Sequence, residues 1–175
     1  MNDRKPIDWA LLPMKRYAQF SGRAPRAEYW WFYLATVVVS WILTIVDKAI
    51  GASGATAGDM GILAALFSLA TFIPTIAVTV RRLHDIGRTG WWLLAFVLLI
   101  ALVFVPIGYM AMEPGNLENA PDPTGGMLAL MIGAGIAAIL MGITLFVFCV
   151  TRGDVGENRY GEDPYGPSNL EEVFA

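Results

Sequence analysis

The chain contains a single cysteine and a single histidine, and only 15% of its 175 residues are charged. Because Cys149 stands alone, no disulfide can form within the chain, and its apolar surroundings favour a small buried residue over a redox role. His84 is the only histidine available for a metal site. No motif combines a nucleophile with a base and a third group that orients the base, as a hydrolase would need. The sequence therefore predicts no catalytic residue, no metal and no cofactor, and it contains no motif of a nucleic-acid-binding fold.

Four apolar stretches without a charged residue take up about half of the chain. They cover residues 29–46, 61–80, 91–112 and 127–150. A helix of about 20 residues crosses the ~30 Å hydrocarbon core of a bilayer. We therefore predict an all-α, polytopic membrane protein with a four-transmembrane-helix bundle at residues 29–150, a cytoplasmic N-terminal segment at 1–28 and a cytoplasmic tail at 151–175.

The basic residues mark one side of the membrane. Eleven of the 12 Lys and Arg residues precede the first stretch, lie in the second loop or follow the fourth stretch, and only Lys48 lies in the first loop. The loop at 113–126 has no Lys or Arg. Because cytoplasmic loops carry the excess of basic residues, we expect both termini and the second loop in the cytoplasm. Anionic lipid headgroups, rather than nucleic acid, are the expected partners of this basic face.

The segment before the first stretch has the pattern of a short helix in the membrane interface. Apolar residues recur there at helical spacing beside basic ones: Ile7, Ala10, Leu11 and Met14. Pro13 either kinks this helix or begins it again at a first helical position. At the other end of the chain, residues 158–161 either fold back on the second loop or belong to a disordered acidic end, which is expected from residue 168 onward.

Two predicted spans carry rows of hydroxyl side chains at steps of three and four residues, which place each row on one helical face. The rows are Thr36, Ser40 and Thr44 in the first span, and Ser68, Thr71, Thr75 and Thr79 in the second. Because lipid offers a hydroxyl no partner, both rows are expected to face protein. They serve either as packing contacts or as a polar path for a small solute. The lack of an ionisable residue at mid-depth favours packing.

The fourth predicted span has a row of small residues, Ala134, Ala138 and Gly142. This spacing favours close contact with another helix. That helix belongs to the same chain, to a second copy in a homo-oligomer, or to another membrane protein.

The densest group of charged residues is expected at the cytoplasmic face. Its members flank the first span and fill the second loop: Arg23, Arg26, Glu28, Arg81, Arg82, His84, Asp85 and Arg88. If the second helix extends by one turn, Arg81 and Asp85 stand four residues apart and can pair, and Arg82 faces the bundle close to Glu28 or Asp85. We expect a structural network of ion pairs whose surplus of arginines suits a phosphate group.

Four motifs follow one another along the chain: Phe20-x-Gly-Arg-Ala-Pro-Arg-Ala-Glu-Tyr-Trp30, Arg81-Arg-Leu-His-Asp-x-Gly-Arg-Thr-Gly-Trp-Trp92, Pro106-Ile-Gly108 and Gly156-Glu-Asn-Arg-Tyr-Gly-Glu-Asp-Pro164. In this order they resemble the YhaH-like family of small bacterial inner-membrane proteins, a domain of unknown function. The resemblance covers nearly the whole chain and implies a location in the bacterial inner (plasma) membrane. It implies no activity, because none is established for the family at large.

Two functions are consistent with these features. The first is a non-enzymatic membrane scaffold or interaction protein, whose charged cytoplasmic group binds anionic lipid or a partner. The alternative is a small-solute transporter or channel component that uses the hydroxyl rows.

Overall fold

The computed structural model describes residues 5–52, 61–111 and 125–165, with the side chains of all of these except 105–111, 125 and 127. In this part of the chain it contains five helices, numbered in order: α1 at Pro6–Lys15, α2 at Arg26–Ala49, α3 at Ile62–Asp85, α4 at Trp91–Ala111 and α5 at Gly125–Val150. No strand is formed among the described residues. The predicted all-α class is confirmed, and α2 to α5 fall on the four predicted apolar stretches. The predicted disorder from residue 168 lies outside the described residues.

Among the described residues, three helices are long and apolar enough to cross a membrane: α2, α3 and the Leu128–Val150 part of α5. In α4, where side chains are described as far as Phe104, the apolar stretch Trp91–Phe104 is shorter. The helices therefore support a multi-pass membrane protein, as predicted. The count of four spans and the place of α1 at the membrane interface remain predictions.

Prolines mark the beginnings of α1 and α2. Pro6 occupies the first turn of α1, where a missing N–H costs nothing. Pro25 stands immediately before α2 in an extended conformation, with φ −68° and ψ 160°. Pro13 lies inside α1, which continues to Lys15, so the helix does not begin again at that residue.

A glycine ends α3. Gly87 has a φ of 68°, in the left-handed region that favours glycine. The N–H of Arg88 donates to the carbonyl of Leu83 (2.9 Å), and the N–H of Gly87 donates to that of His84 (3.1 Å). This pair of bonds is a Schellman motif. It stops α3 immediately after Asp85 and turns the chain toward α4.

The chain divides into two units. The first contains α1, α2, α3 and the tail at 151–165, and the second contains α4 and α5. In the first unit, the buried Ala24, Phe32 and Val78 pack together with Tyr29.

The row of small residues in α5 lies against α4 within the second unit. A Cβ added to Gly142 would lie 3.4 Å from the Phe96 ring. Ala134 and Ala138 are also buried. Of the predicted partners for this row, the structure shows a helix of the same chain.

The hydroxyl rows of α2 and α3 face a common cleft of about 550 Å³. Its hydroxyl lining consists of Thr36, Ser40, Thr44, Ser68, Thr71 and Thr75. The threonine hydroxyls donate to carbonyls of their own helix, as Thr44 does to Ser40 (2.8 Å) and Thr79 to Thr75 (2.7 Å). The rows are therefore apposed, but these hydrogen bonds run along each helix rather than between the two helices.

Asp47, near the end of α2, caps the beginning of α3. Its side chain is fully buried, and its two oxygens accept the N–H groups of Leu63 (3.1 Å) and Ala64 (2.9 Å). The first turn of a helix leaves such groups without an intrahelical partner. A Cβ at Gly61 would overlap the Asp47 carboxyl group, so glycine at that position permits the close approach. This contact joins α2 to α3 at the end opposite the arginines.

Tyr17 compensates for a proline inside α3. Pro74 is buried and has no N–H, so the carbonyl of Ala70 lacks the donor that a regular helix would supply. The Tyr17 hydroxyl donates to this carbonyl at 2.9 Å. The segment after α1 is thereby fixed to the middle of α3.

Candidate functional site

Three charged residues in the last turns of α3 are almost completely withdrawn from solvent. Arg81 and Arg82 have no exposed surface, and Asp85 is 3% exposed. Because a buried charge is costly unless it is paired and hydrogen-bonded, the partners of these side chains define the site.

Arg81 joins α3 to the beginning of α2. One guanidinium nitrogen donates to Glu28 Oε1 at 2.7 Å, and another donates to the carbonyl of Gln19. The backbone carbonyl of Arg81 accepts the N–H of Ala24 at 3.0 Å. Glu28 is fully buried, and its second oxygen lies 3.7 Å from the guanidinium of Arg16. The segment between α1 and α2 is thus attached to α3 through both backbone and side chain.

Asp85 lies between two buried arginines. Its Oδ1 accepts from Arg23 Nε at 3.0 Å, and its Oδ2 accepts from Arg82. The expected pairing of Arg81 with Asp85 is not what the structure shows. Arg81 turns to Glu28 instead, and Asp85 pairs with Arg82, three residues before it.

The same arginines hold the tail. Arg23 donates to the carbonyls of Asp154, Gly156 and Gly161, and Arg82 donates to the carbonyl of Thr151. A backbone bond reinforces these contacts, because the N–H of Asp154 donates to the carbonyl of Asp85 at 2.8 Å. Three buried arginines therefore share two buried carboxylates, and backbone carbonyls take up several of the remaining donors, although Arg81 Nε has no hydrogen-bond partner among the described residues.

The segment 158–161 folds back on the turn after α3, which is one of the two predicted alternatives. The Tyr160 ring stacks on His84, with ring centroids 3.8 Å apart and planes 3° from parallel. The Asn158 amide donates to the carbonyl of His84 at 3.0 Å, and Arg159 donates to that of Gly87 at 2.8 Å. His84 Nδ1 lies 3.2 Å from the carbonyl of Gly22. His84 therefore serves as a stacking platform between the N-terminal segment and the tail.

Two predicted members of the charged group stay at the surface. Arg26 and Arg88 are exposed, unlike Arg23, Arg81 and Arg82. Arg26 lines a cavity of about 230 Å³ together with residues of the tail, including Arg152, Asp154 and Asp163. The sequence interpretation did not include these three tail residues. The Asn-x-Tyr-Gly motif was the only signal that this part of the tail returns to the site.

The carboxylate of Asp163 is held in place by the tail itself. It accepts the N–H groups of Tyr165 (2.9 Å) and Gly156 (3.1 Å). These bonds, with smaller contributions from the charges of Arg23 and Arg152, lower the pKa of Asp163 from its usual range. Asp163 is therefore ionised at neutral pH.

Comparison with known proteins identifies the family. Residues 17–162 match the family described as "Protein of unknown function (DUF805)". Inner membrane protein YhaH of Escherichia coli (strain K12) is 38% identical over 119 residues, which are 67% of this chain and 97% of the relative. Inner membrane protein YhaI of the same organism is 34% identical over 164 residues, which are 93% of this chain and 100% of the relative. No solved structure matches the chain.

The matched region includes the whole buried network and the segment of the tail that packs on it. The names of the relatives and the three long apolar helices agree on a multi-pass protein of the bacterial inner membrane. The chain belongs to the DUF805 family.

Proposed function

We propose that this protein is a non-enzymatic scaffold that crosses the inner membrane four times and holds lipid headgroups at its cytoplasmic face. The buried arginine network is the observation that carries this proposal. Its donors hold the backbone of two separate segments, the one before α2 through the carbonyl of Gln19 and the tail through the carbonyls of Thr151 and Asp154. Such a network makes this end of the protein rigid. Each planar guanidinium group holds the segments that it joins at a set distance from each other.

The path of the tail supports four spans. Asp154 returns to Asp85, at the end of α3 from which the chain departs toward α4. Two points on the same side of a membrane are joined by an even number of crossings. Because α5 is long and apolar enough to cross, this return supports a crossing by α4 as well. The basic residues at this end favour the cytoplasmic side.

Four exposed arginines surround the buried network: Arg26, Arg88, Arg152 and Arg159. Each basic residue near an anionic membrane surface contributes about 1 kcal/mol of attraction. The scaffold therefore gathers anionic lipid around its cytoplasmic end.

The test is the lipid composition around the protein. Full-length protein is extracted with its surrounding lipid by a membrane-solubilising polymer, and the phospholipids are quantified by mass spectrometry. Changing the four exposed arginines to Gln should abolish the enrichment in anionic lipid in a protein that still folds. Lys48→Gln, at the opposite end of α2, is the matched control and should keep the enrichment. An unchanged enrichment in the fourfold variant would refute the proposal.

The hydroxyl-lined cleft favours a second candidate, a transporter or channel component for a small solute. Its lining residues include no ionisable side chain, whereas transport pathways usually contain one. Proteoliposome flux distinguishes the two functions. If the protein is a scaffold, replacing Thr36 and Thr71 with Val should leave the solute flux at its background level. If the cleft is a solute path, the same replacements should change the flux.

A further inference from the structure

The cavity of about 230 Å³ beside the buried network has charges of both signs in its lining. The charged residues are Arg23, Arg26, Arg152, Asp85, Asp154 and Asp163. At a share of ~30 Å³ per water molecule, the volume corresponds to roughly eight waters, which suits one small polar group. A site for a simple anion needs only the arginines, so the aspartates require a separate explanation.

One pair of these residues forms the wall of the cavity. Arg23 and Asp85 bind each other at 3.0 Å, and the second oxygen of Asp85 is taken by Arg82. Both side chains are more than nine-tenths buried. Both are enclosed by the protein, so a ligand would meet the other four charged residues, which are less buried.

The basic side of the cavity consists of Arg26 and Arg152, from the first residue of α2 and the beginning of the tail. Both are exposed. Within the described part of the chain, the Arg152 guanidinium has no ion pair. A guanidinium fork matches two oxygens of a phosphate group.

The acidic side consists of Asp154 and Asp163. Asp154 Oδ2 accepts from the Asn158 amide at 3.2 Å, and Asp163 accepts from two backbone N–H groups, so both carboxylates are oriented before any ligand arrives. The low pKa of Asp163 keeps it charged. Two fixed carboxylates offer hydrogen-bond acceptors to an ammonium group, whose three N–H donors need them.

We infer that this cavity binds a zwitterionic group that joins a phosphate to a primary ammonium, as phosphoethanolamine does. The phosphate contacts Arg26 and Arg152, and the ammonium contacts Asp154 and Asp163. A headgroup whose only charged group is a phosphate would be repelled by the two negatively charged aspartates. A quaternary ammonium would have no N–H to donate to them. This inference rests on the proposed function, since it assumes that headgroups reach this end of the protein.

The test measures which lipid stays bound after detergent exchange. Full-length protein is incubated with equal amounts of phosphatidylethanolamine, phosphatidylglycerol and phosphatidylcholine, and retained lipid is counted by native mass spectrometry. Wild type should retain phosphatidylethanolamine over phosphatidylglycerol by about fivefold, a typical effect of one solvent-accessible charge contact. Asp163→Asn should bring this ratio close to one while phosphatidylglycerol is still retained. Arg152→Gln should lower the retention of both lipids, and Arg152→Lys should restore part of the binding.

Matched variants and a soluble ligand complete the design. Glu162→Gln removes an exposed acid of the same segment that does not line the cavity, and it should leave the ratio unchanged. Asp154→Asn tests the acidic side a second time, in case Asp163→Asn disturbs the tail. Soluble phosphoethanolamine separates the two sources of the ligand. A rise in unfolding temperature that Asp154→Asn abolishes would indicate a free compound, whereas binding of the lipid alone would indicate the membrane.

Two results would overturn the inference: a wild-type protein without preference for phosphatidylethanolamine, or aspartate variants with the wild-type ratio. Either result would leave the scaffold proposal standing if the exposed arginines still enriched anionic lipid around the protein. Loss of that enrichment would instead refute the scaffold, so the two failures are distinguishable.

Discussion

Asp85→Asn tests the buried network most sharply, because one carboxylate serves two buried arginines. Asp85 accepts from Arg23 and Arg82, which are 6% and 0% exposed. Asparagine has nearly the same shape but no charge. Its single amide oxygen can serve one guanidinium, while its NH₂ group points donors at the other.

The expected loss of stability is large for a substitution of one atom. Removing one partner of a buried ion pair costs about 3–5 kcal/mol. Arg23 and Arg82 retain their bonds to tail carbonyls, which places the expectation near the lower figure, at about 3 kcal/mol. For a chain of this length, 1 kcal/mol corresponds to a shift of about 2–4 °C, so Asp85→Asn should lower the unfolding temperature by roughly 6–12 °C.

Thermal unfolding of the purified protein in a mild detergent is the assay. Gly153→Ala provides a second route to the same damage, because a Cβ at Gly153 would overlap the Asp85 carboxylate that both arginines hold. Glu162→Gln, an exposed acid of the tail, is the control and should unfold at the wild-type temperature. If Asp85→Asn also unfolds at the wild-type temperature, the cluster is a solvated basic surface and the network does not stabilise the fold.

Three further predictions concern other contacts. Asp47→Ala removes the cap of α3 and should cost about 1–2 kcal/mol in thermal unfolding, and Asp47→Asn should cost less because it keeps an acceptor. Equal stability of Asp47→Ala and wild type would exclude this cap. Tyr17→Phe should cost about 1 kcal/mol, since the Ala70 carbonyl loses its donor. The cost should vanish in a Pro74→Ala background, where the helix regains an N–H for that carbonyl, and a cost unchanged by Pro74→Ala would contradict this account. The lowered pKa of Asp163 means that its bonds stabilise the tail fully above the unfolded pKa, and that this stability is lost as pH falls through the lower folded pKa. Hydrogen exchange of the Gly156 and Tyr165 amides should therefore accelerate in acid beyond its intrinsic dependence, and Asp163→Asn should remove that excess.

The sequence predicts the helices well because hydropathy and periodicity are local properties. The four apolar stretches appear as α2 to α5, and the rows through Thr36 and Thr71 are apposed because a step of three and four residues defines one helical face. The extension of α3 to Asp85 follows from Gly87, which ends the helix one turn later than the apolar stretch does.

The partners in the network could not be read from the sequence in the same way. The spacing of Arg81 and Asp85 suggested a pair, but the direction of Arg81 is set by Glu28, which the packing of α2 against α3 brings near. Many acceptors are backbone carbonyls, such as those of Thr151 and Gly156, which every sequence contains and no pattern marks. No sequence pattern indicated that Arg152 and Asp163 line the cavity, because the return of the tail brings them there.

The central claim is that both termini and the arginine network share the cytoplasmic face of a protein with four spans. Reporter fusions after residues 55, 86, 120 and 175 test it most directly, with one enzyme that is active only in the cytoplasm and one that is active only outside it. The account predicts outside, cytoplasm, outside and cytoplasm in that order. A C-terminus outside the cytoplasm would contradict it, because the tail packs on the end of α3 and would carry the whole network to the other side of the membrane.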